Sequence, residues 1–192
     1  MFISRLFGRR RNTTVVAHKL YTGLVDQARH PVFYAEQGVP DSLDGRFDMI
    51  VLHSFLILRR LREAGRADTS LDEQSVELQT KLQEILFSDM DQALRELGVG
   101  DMGVGKRIRD MAEAFFGRIS AYEEALALKE TSDPETAEKA LREAIERNLF
   151  RGATPTPEQA AWFLGYIDSQ SRHLAAIPTA DLMAGKISFA AV

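Results

Sequence analysis

The chain has 192 residues, 45% of them hydrophobic and 27% charged, a balance that suits a folded globular body and not a disordered tail. It has no cysteine, which excludes disulfides, zinc–thiolate sites and iron–sulfur clusters. The net charge of -4 is unevenly spread, because Arg5, Arg9, Arg10 and Arg11 all fall in residues 1–12, which hold no acid. The rest of the chain is acidic and does not read as a DNA binder.

In residues 1–12, Phe2, Ile3, Leu6 and Phe7 stand at helical spacing among those arginines. This is the pattern of a short amphipathic segment lying on an anionic membrane surface, with an ordinary frayed terminus as the alternative. Residues 13–178 form the main helical domain and 179–192 a C-terminal tail. The first helix of that domain spans 13–29, with Val16, Leu20 and Leu24 on its apolar face and His30-Pro31 as its stop. A short segment, Val32 to Gln37, carries the adjacent pair Phe33 and Tyr34 before Gly38-Val39-Pro40 breaks the chain again.

Asp41 is placed to cap the next helix, which runs to about Ala64 with Gly65 just past its end. Its uncharged stretch from Met49 to Leu58 is far shorter than the roughly 20 residues a bilayer requires, so it reads as a buried core helix. Ser70 and Glu73 have capping-box spacing ahead of a helix over 72–97, whose stripe is Leu82, Leu86, Met90, Leu94 and Leu97. A glycine-rich loop follows from Gly98 to Gly105. The helix over 104–129 has the cleanest periodicity in the chain, through Val104, Ile108, Met111, Phe115, Ile119, Tyr122 and Leu126. Asp133-Pro134 and Thr156-Pro157 repeat a cap-then-proline start for two further helices, the second ending near Ala176.

Sustained period-two alternation is absent, so the fold is expected to be all-α: a single-domain bundle of about six to seven helices joined by short loops.

The segment from His30 to His53 resembles the hallmark of the ubiquinol–cytochrome c chaperone family. The features that carry it are Phe33-Tyr34, Pro40-Asp41-Ser42, Phe47, Leu52-His53 and, beyond them, Arg60-Leu61. Residues 98–115, Gly-Val-Gly-Asp-Met-Gly-Val-Gly-Lys-Arg leading into Met-Ala-Glu-Ala-Phe, resemble the family's bacterial branch. The resemblance covers roughly residues 13–130. It implies a non-enzymatic assembly factor for the cytochrome bc1 complex, peripheral at the cytoplasmic face of the inner membrane. The implied client is newly made cytochrome b, with a small partner protein or the ribosome as further partners. Phe33, Tyr34, Pro40, Asp41, Arg46, Phe47, His53, Asp101, Lys106, Arg107 and Arg109 are the motif positions carried over as candidate contacts with client or partner.

Other patterns are weaker. Gly100 to Lys106 nearly spells a phosphate-binding loop, but Arg107 stands where Ser or Thr would hold magnesium, and a helix, not a strand, comes before it. Lys106, Arg107 and Arg109 lie at a helix start, where the dipole disfavours cations. Asp101, Asp89 and Asp91 are the expected compensating partners, with lipid head groups, ribosomal RNA or an acidic client loop as alternatives. His53 in its apolar surroundings reads as a hydrogen-bonded core residue. No catalytic constellation, metal site or cofactor is expected. The competing reading is a helical-bundle carrier of a lipid or quinone, which requires a deep apolar cavity.

Overall fold

The computed structural model describes residues 2–131, 133–151 and 153–192, with side chains described from Asn12 onward except Glu130. The described chain is all helical, with no strand. It has six long helices and two short ones: α1 Phe2–Ala28, α2 Pro31–Ala35, α3 Leu43–Ala67, α4 Asp72–Glu96, α5 Asp101–Thr131, α6 Pro134–Leu149, α7 Pro157–Ala176 and α8 Thr179–Leu182. None of the described helices is long and apolar enough to cross a membrane.

Several helix ends follow the sequence signals. Asp133 caps α6 by accepting from the Thr136 N–H at 2.9 Å, with Pro134 at the first helical position. Thr156 and Gln159 form a reciprocal capping box at the start of α7. Gly98, at φ 79°, ends α4.

Other ends differ from expectation. Residues 2–12 and the following helix are one continuous element, α1. Ser42, not Asp41, caps α3, because its hydroxyl lies 3.1 Å from the Gly45 N–H while the Asp41 carboxylate is taken by Arg46. Gly65 lies inside α3 and packs closely, since a Cβ there would come within 3.1 Å of Ser75 on α4. Ser70 does not cap α4. A 3-10 turn, Thr69–Leu71, precedes that helix and is capped by Asp68. α5 begins at Asp101, three residues before the expected start, so Gly103, Gly105 and Lys106 are helical and no phosphate-cradling loop exists there.

The chain groups into two compact units. The first comprises Met1–Gly23, Ile57–Glu113 and Leu174–Ser188, and the second Leu24–Leu56, Ala114–His173 and Phe189–Val192. In the first unit, Leu20 of α1, Leu61 of α3 and Leu78, Leu82, Leu86 and Leu94 of α4 are buried. The Ser75 hydroxyl donates to the Leu61 carbonyl at 2.7 Å, and that of Tyr21 to Asp89 at 2.6 Å. Arg60 closes the end of α7, donating to the carbonyls of Leu174 and Ile177 and to the Thr179 hydroxyl. In the second unit, α3 supplies Phe47 to Leu56 without one exposed side chain, so Asp48, His53 and Ser54 are buried there along with the apolar residues. Phe115 and Tyr122 of α5, Ile145 of α6 and Phe163 and Ile167 of α7 are buried there too.

Candidate functional site

The family-like motif from His30 to His53 lies in the second unit, and the structure divides it into a buried half and a surface half. The division begins at α2. His30 caps this short helix through its imidazole, Pro31 occupies its first position, and Gly38 at φ 76° turns the chain out of it. One turn of helix sends the two adjacent aromatics in different directions. Phe33 is fully buried among His53, Trp162, Phe163 and Tyr166, with ring centroids 5.2 to 6.3 Å away. Tyr34 is half-buried, and its hydroxyl donates to the Ala28 carbonyl at 2.7 Å.

His53 sits at the bottom of the buried half. Its Nδ1 is 2.7 Å from the Met49 carbonyl, which can only accept, so Nδ1 carries the proton. Its Nε2 then accepts from the Tyr166 hydroxyl at 2.7 Å, and that hydroxyl accepts in turn from the Gln27 amide at 3.0 Å. Burial pushes the imidazole down to about 4, so it is neutral at physiological pH. Both ring nitrogens are occupied within the core, and neither is presented to a ligand. Phe47 is buried as well, under the Arg118 guanidinium.

The surface half is a groove of about 330 Å³ lined by Arg29, Pro31, Tyr34, Ala35, Asp41 and Arg46. Arg46 donates to Asp41 at 2.7 Å and lies over the Tyr34 ring at 5.9 Å. The Arg46 hydrogen bond holds the Asp41 carboxyl below the usual carboxylate range. Burial raises the Tyr34 hydroxyl to about 12, against the lowering effect of Arg46. Pro40 is half-buried beside this turn, where its carbonyl approaches Gly45 so closely that a Cβ at 45 would lie 2.0 Å from it. The groove offers two guanidiniums, one carboxylate and an aromatic wall.

Asp101, Lys106, Arg107 and Arg109 belong to the other unit, at the start of α5, and all four are exposed. The expected compensation by acids is not present. Asp101 and Asp91 both pair with Arg95, and Asp89 takes the Tyr21 hydroxyl. Among the described residues, Lys106, Arg107 and Arg109 form no ion pair. Met102, 94% exposed, and Leu97, 65% exposed, lie in the same stretch. Phe2, Ile3, Arg5, Leu6, Phe7, Arg9, Arg10 and Arg11 have side chains outside the described residues. No group of three or more metal-ligating side chains occurs among the described residues.

Two further grooves are also open and lined with charged groups. One, of about 440 Å³, has Lys129, Glu138 and Asp168 in its wall. The other, of about 470 Å³, has Lys81, Glu84 and Asp89. Neither is the enclosed apolar chamber a lipid or quinone carrier needs.

Arg29 and Ala35, which line the Tyr34 groove, and the buried Gln170 of α7 are residues that the sequence alone did not single out. Gln170 had a usable signal, because it interrupts the apolar stripe Ala160, Phe163, Ile167 and Leu174 of α7 and must therefore bury a polar amide.

A family model described as "Ubiquinol-cytochrome C chaperone" matches residues 35–189, and so extends through the C-terminal third. The chain is 24% identical over 169 residues to ubiquinol-cytochrome-c reductase complex assembly factor 1 of Xenopus laevis, covering 88% of this chain and 77% of that protein. It is 23% identical over 176 residues to the protein of the same name from Homo sapiens, covering 91% of this chain and 54% of the human one. The chain thus spans about half the length of the human relative. Across its whole length it is similar to the crystal structure of the Cbp3 homolog from Brucella abortus, with a TM-score of 0.76, 30% identity and 97% of that chain covered.

Proposed function

Because the chain belongs to the ubiquinol–cytochrome c chaperone family, we propose that it is a non-enzymatic assembly factor for the cytochrome bc1 complex that holds newly made cytochrome b at the membrane. The observation that carries this reading is the family match over residues 35–189, which includes most of the structured motif and three of the six residues lining its surface groove, Ala35, Asp41 and Arg46. A polytopic membrane protein exposes apolar and interfacial segments before it is packed, and a holder for it needs recognition surfaces and no reaction centre. The motif groove around Tyr34, Asp41 and Arg46 is one such surface, and the exposed cations Lys106, Arg107 and Arg109 are another. Residues 1–12 supply a peripheral contact with the cytoplasmic face of the membrane. A small partner protein or the ribosome can engage the same surfaces.

The test is a strain lacking this gene, in which assembled bc1 complex is quantified on native gels and by b-type haem absorbance. Assembled bc1 complex should fall while other respiratory enzymes persist, and re-expression of the chain should restore it. Normal bc1 levels in the deletion strain would reject the proposal. Crosslinking in cells, read by mass spectrometry, should recover cytochrome b.

A further inference from the structure

In the second unit the last residues of the chain lie against the buried aromatic cluster. The Phe189 ring is 5.2 Å from that of His53, edge to face. At the next residue the contact changes from side chain to main chain. The Ala190 N–H donates to the Gln170 side-chain oxygen at 2.8 Å, and the Gln170 amide donates back to the Ala190 carbonyl at 3.1 Å. Gln170 is fully buried. A buried glutamine that spends both amide groups on one residue's main chain reads backbone irrespective of the side chain it carries, which is how sites that capture a main chain gain affinity. Selectivity then comes from the neighbouring pocket. His53 has both nitrogens engaged in the core, so it offers Phe189 an apolar ring, which suits an aromatic side chain.

We propose that Gln170 and His53 form a peptide-binding groove in which Phe189 and Ala190 are a resident, exchangeable occupant. Its incoming ligand is an extended apolar segment of a membrane-protein chain with an aromatic residue followed by a small one. The choice of a membrane-protein segment rests on the assembly-factor reading, whereas the groove does not. Exchange is inexpensive because the occupant lies outside any helix and its next two residues, Ala191 and Val192, are exposed. The two neutral hydrogen bonds of Ala190 and the ring contact of Phe189 contribute far less than the buried helix faces do, so these residues open locally without unfolding the body.

The probe is a fluorescent peptide with the sequence of Ile187–Val192, titrated by anisotropy into a chain ending at Ser188. Saturable binding is expected. Methylating the peptide nitrogen at Ala190, or Gln170→Leu in the protein, should each weaken it by about 10-fold or more. The full-length chain should bind the probe about 10-fold more weakly than the shortened one, because the resident residues compete. A peptide keeping Phe-Ala but flanked by charged residues should bind more weakly than one with apolar flanks. If the shortened chain loses its helical circular dichroism, Phe189→Ala in the full chain takes its place under the same criteria. Absence of saturable binding up to about 1 mM, indifference to the nitrogen methyl, or equal affinity for both chains would each mean that Phe189 and Ala190 are a fixed strap. Those results would leave the deletion-strain test standing, just as normal bc1 levels would leave the groove standing.

Discussion

The guanidinium of Arg151 reaches the carboxylate of Asp48 at 2.8 Å, and it does so from a backbone held at φ 50°, in the left-handed region that favours glycine. Asp48 is fully buried and also meets Arg118 at 2.9 Å, while Arg151 pairs with Asp44 as well. A residue kept in this conformation persists because its surroundings fix it, and here two carboxylates do so.

The same carboxylate and His53 set opposing pH dependences. Burial pushes the Asp48 carboxyl up to about 7 from an ordinary 3.8, against the pull of Arg118 and Arg151. The folded state therefore binds this proton more tightly than the unfolded state, and stability falls as pH rises from about 4 to 7. His53, lowered from 6.5 to about 4, acts in the other direction, since its contribution is lost as pH falls through that range. In the native chain the two oppose each other between pH 4 and 6.5. Denaturant unfolding of Asp48→Asn should show stability rising with pH over this window, and His53→Gln should show it falling. Parallel pH profiles for the two variants would contradict this assignment.

Gly45→Ala should destabilise by about 2 kcal/mol or more, since the new Cβ meets the main-chain carbonyl of Pro40 and not a movable side chain. Gly117→Ala is the control. A Cβ there meets nothing within 4 Å, and the position lies inside α5, so a gain of about 0.5–1 kcal/mol is expected. Thermal melts of both variants read the contrast, and a neutral Gly45→Ala would show that the motif turn can relax.

Arg60→Ala should cost about 2 kcal/mol, because one guanidinium serves the end of α7 and the start of α8 together. Lysine at this position cannot span three acceptors and should recover less than half of the loss. Hydrogen exchange should rise at residues 177–183 in both variants. Unchanged protection there would mean that the ends of these helices hold without Arg60.

A chain lacking residues 1–12 should keep its helical circular dichroism, because the cut stops short of buried Thr13. It should also lose affinity for vesicles of phosphatidylglycerol and phosphatidylcholine, and the affinity of the full chain should drop with added salt. Equal vesicle binding by the two chains would remove the membrane role of this segment.

Much of the helical layout can be read from local signals. Asp133 with Pro134, Thr156 with Pro157, and Gly98 mark real helix ends because a cap contacts only residues three or four positions away. The signals failed where two local candidates competed. Asp41 and Ser42 are both good caps, and the choice fell to Ser42 because Arg46 engages the aspartate. Ser70 and Glu73 had the right spacing, but Asp68 captured the turn first.

The sequence by itself determined that this protein is all-α, where most of its helices lie and which family it resembles, since periodicity, caps and motif residues are written along the chain. Only the tertiary structure decided that Phe33 is core while its neighbour Tyr34 borders a groove. It also decided that Asp48 meets Arg118 and Arg151, and that Gln170 holds the main chain of Ala190. The physical reason is that burial and pairing depend on partners 20 to more than 100 residues away, and the sequence spacing that fixes a helix face does not say what that face will meet.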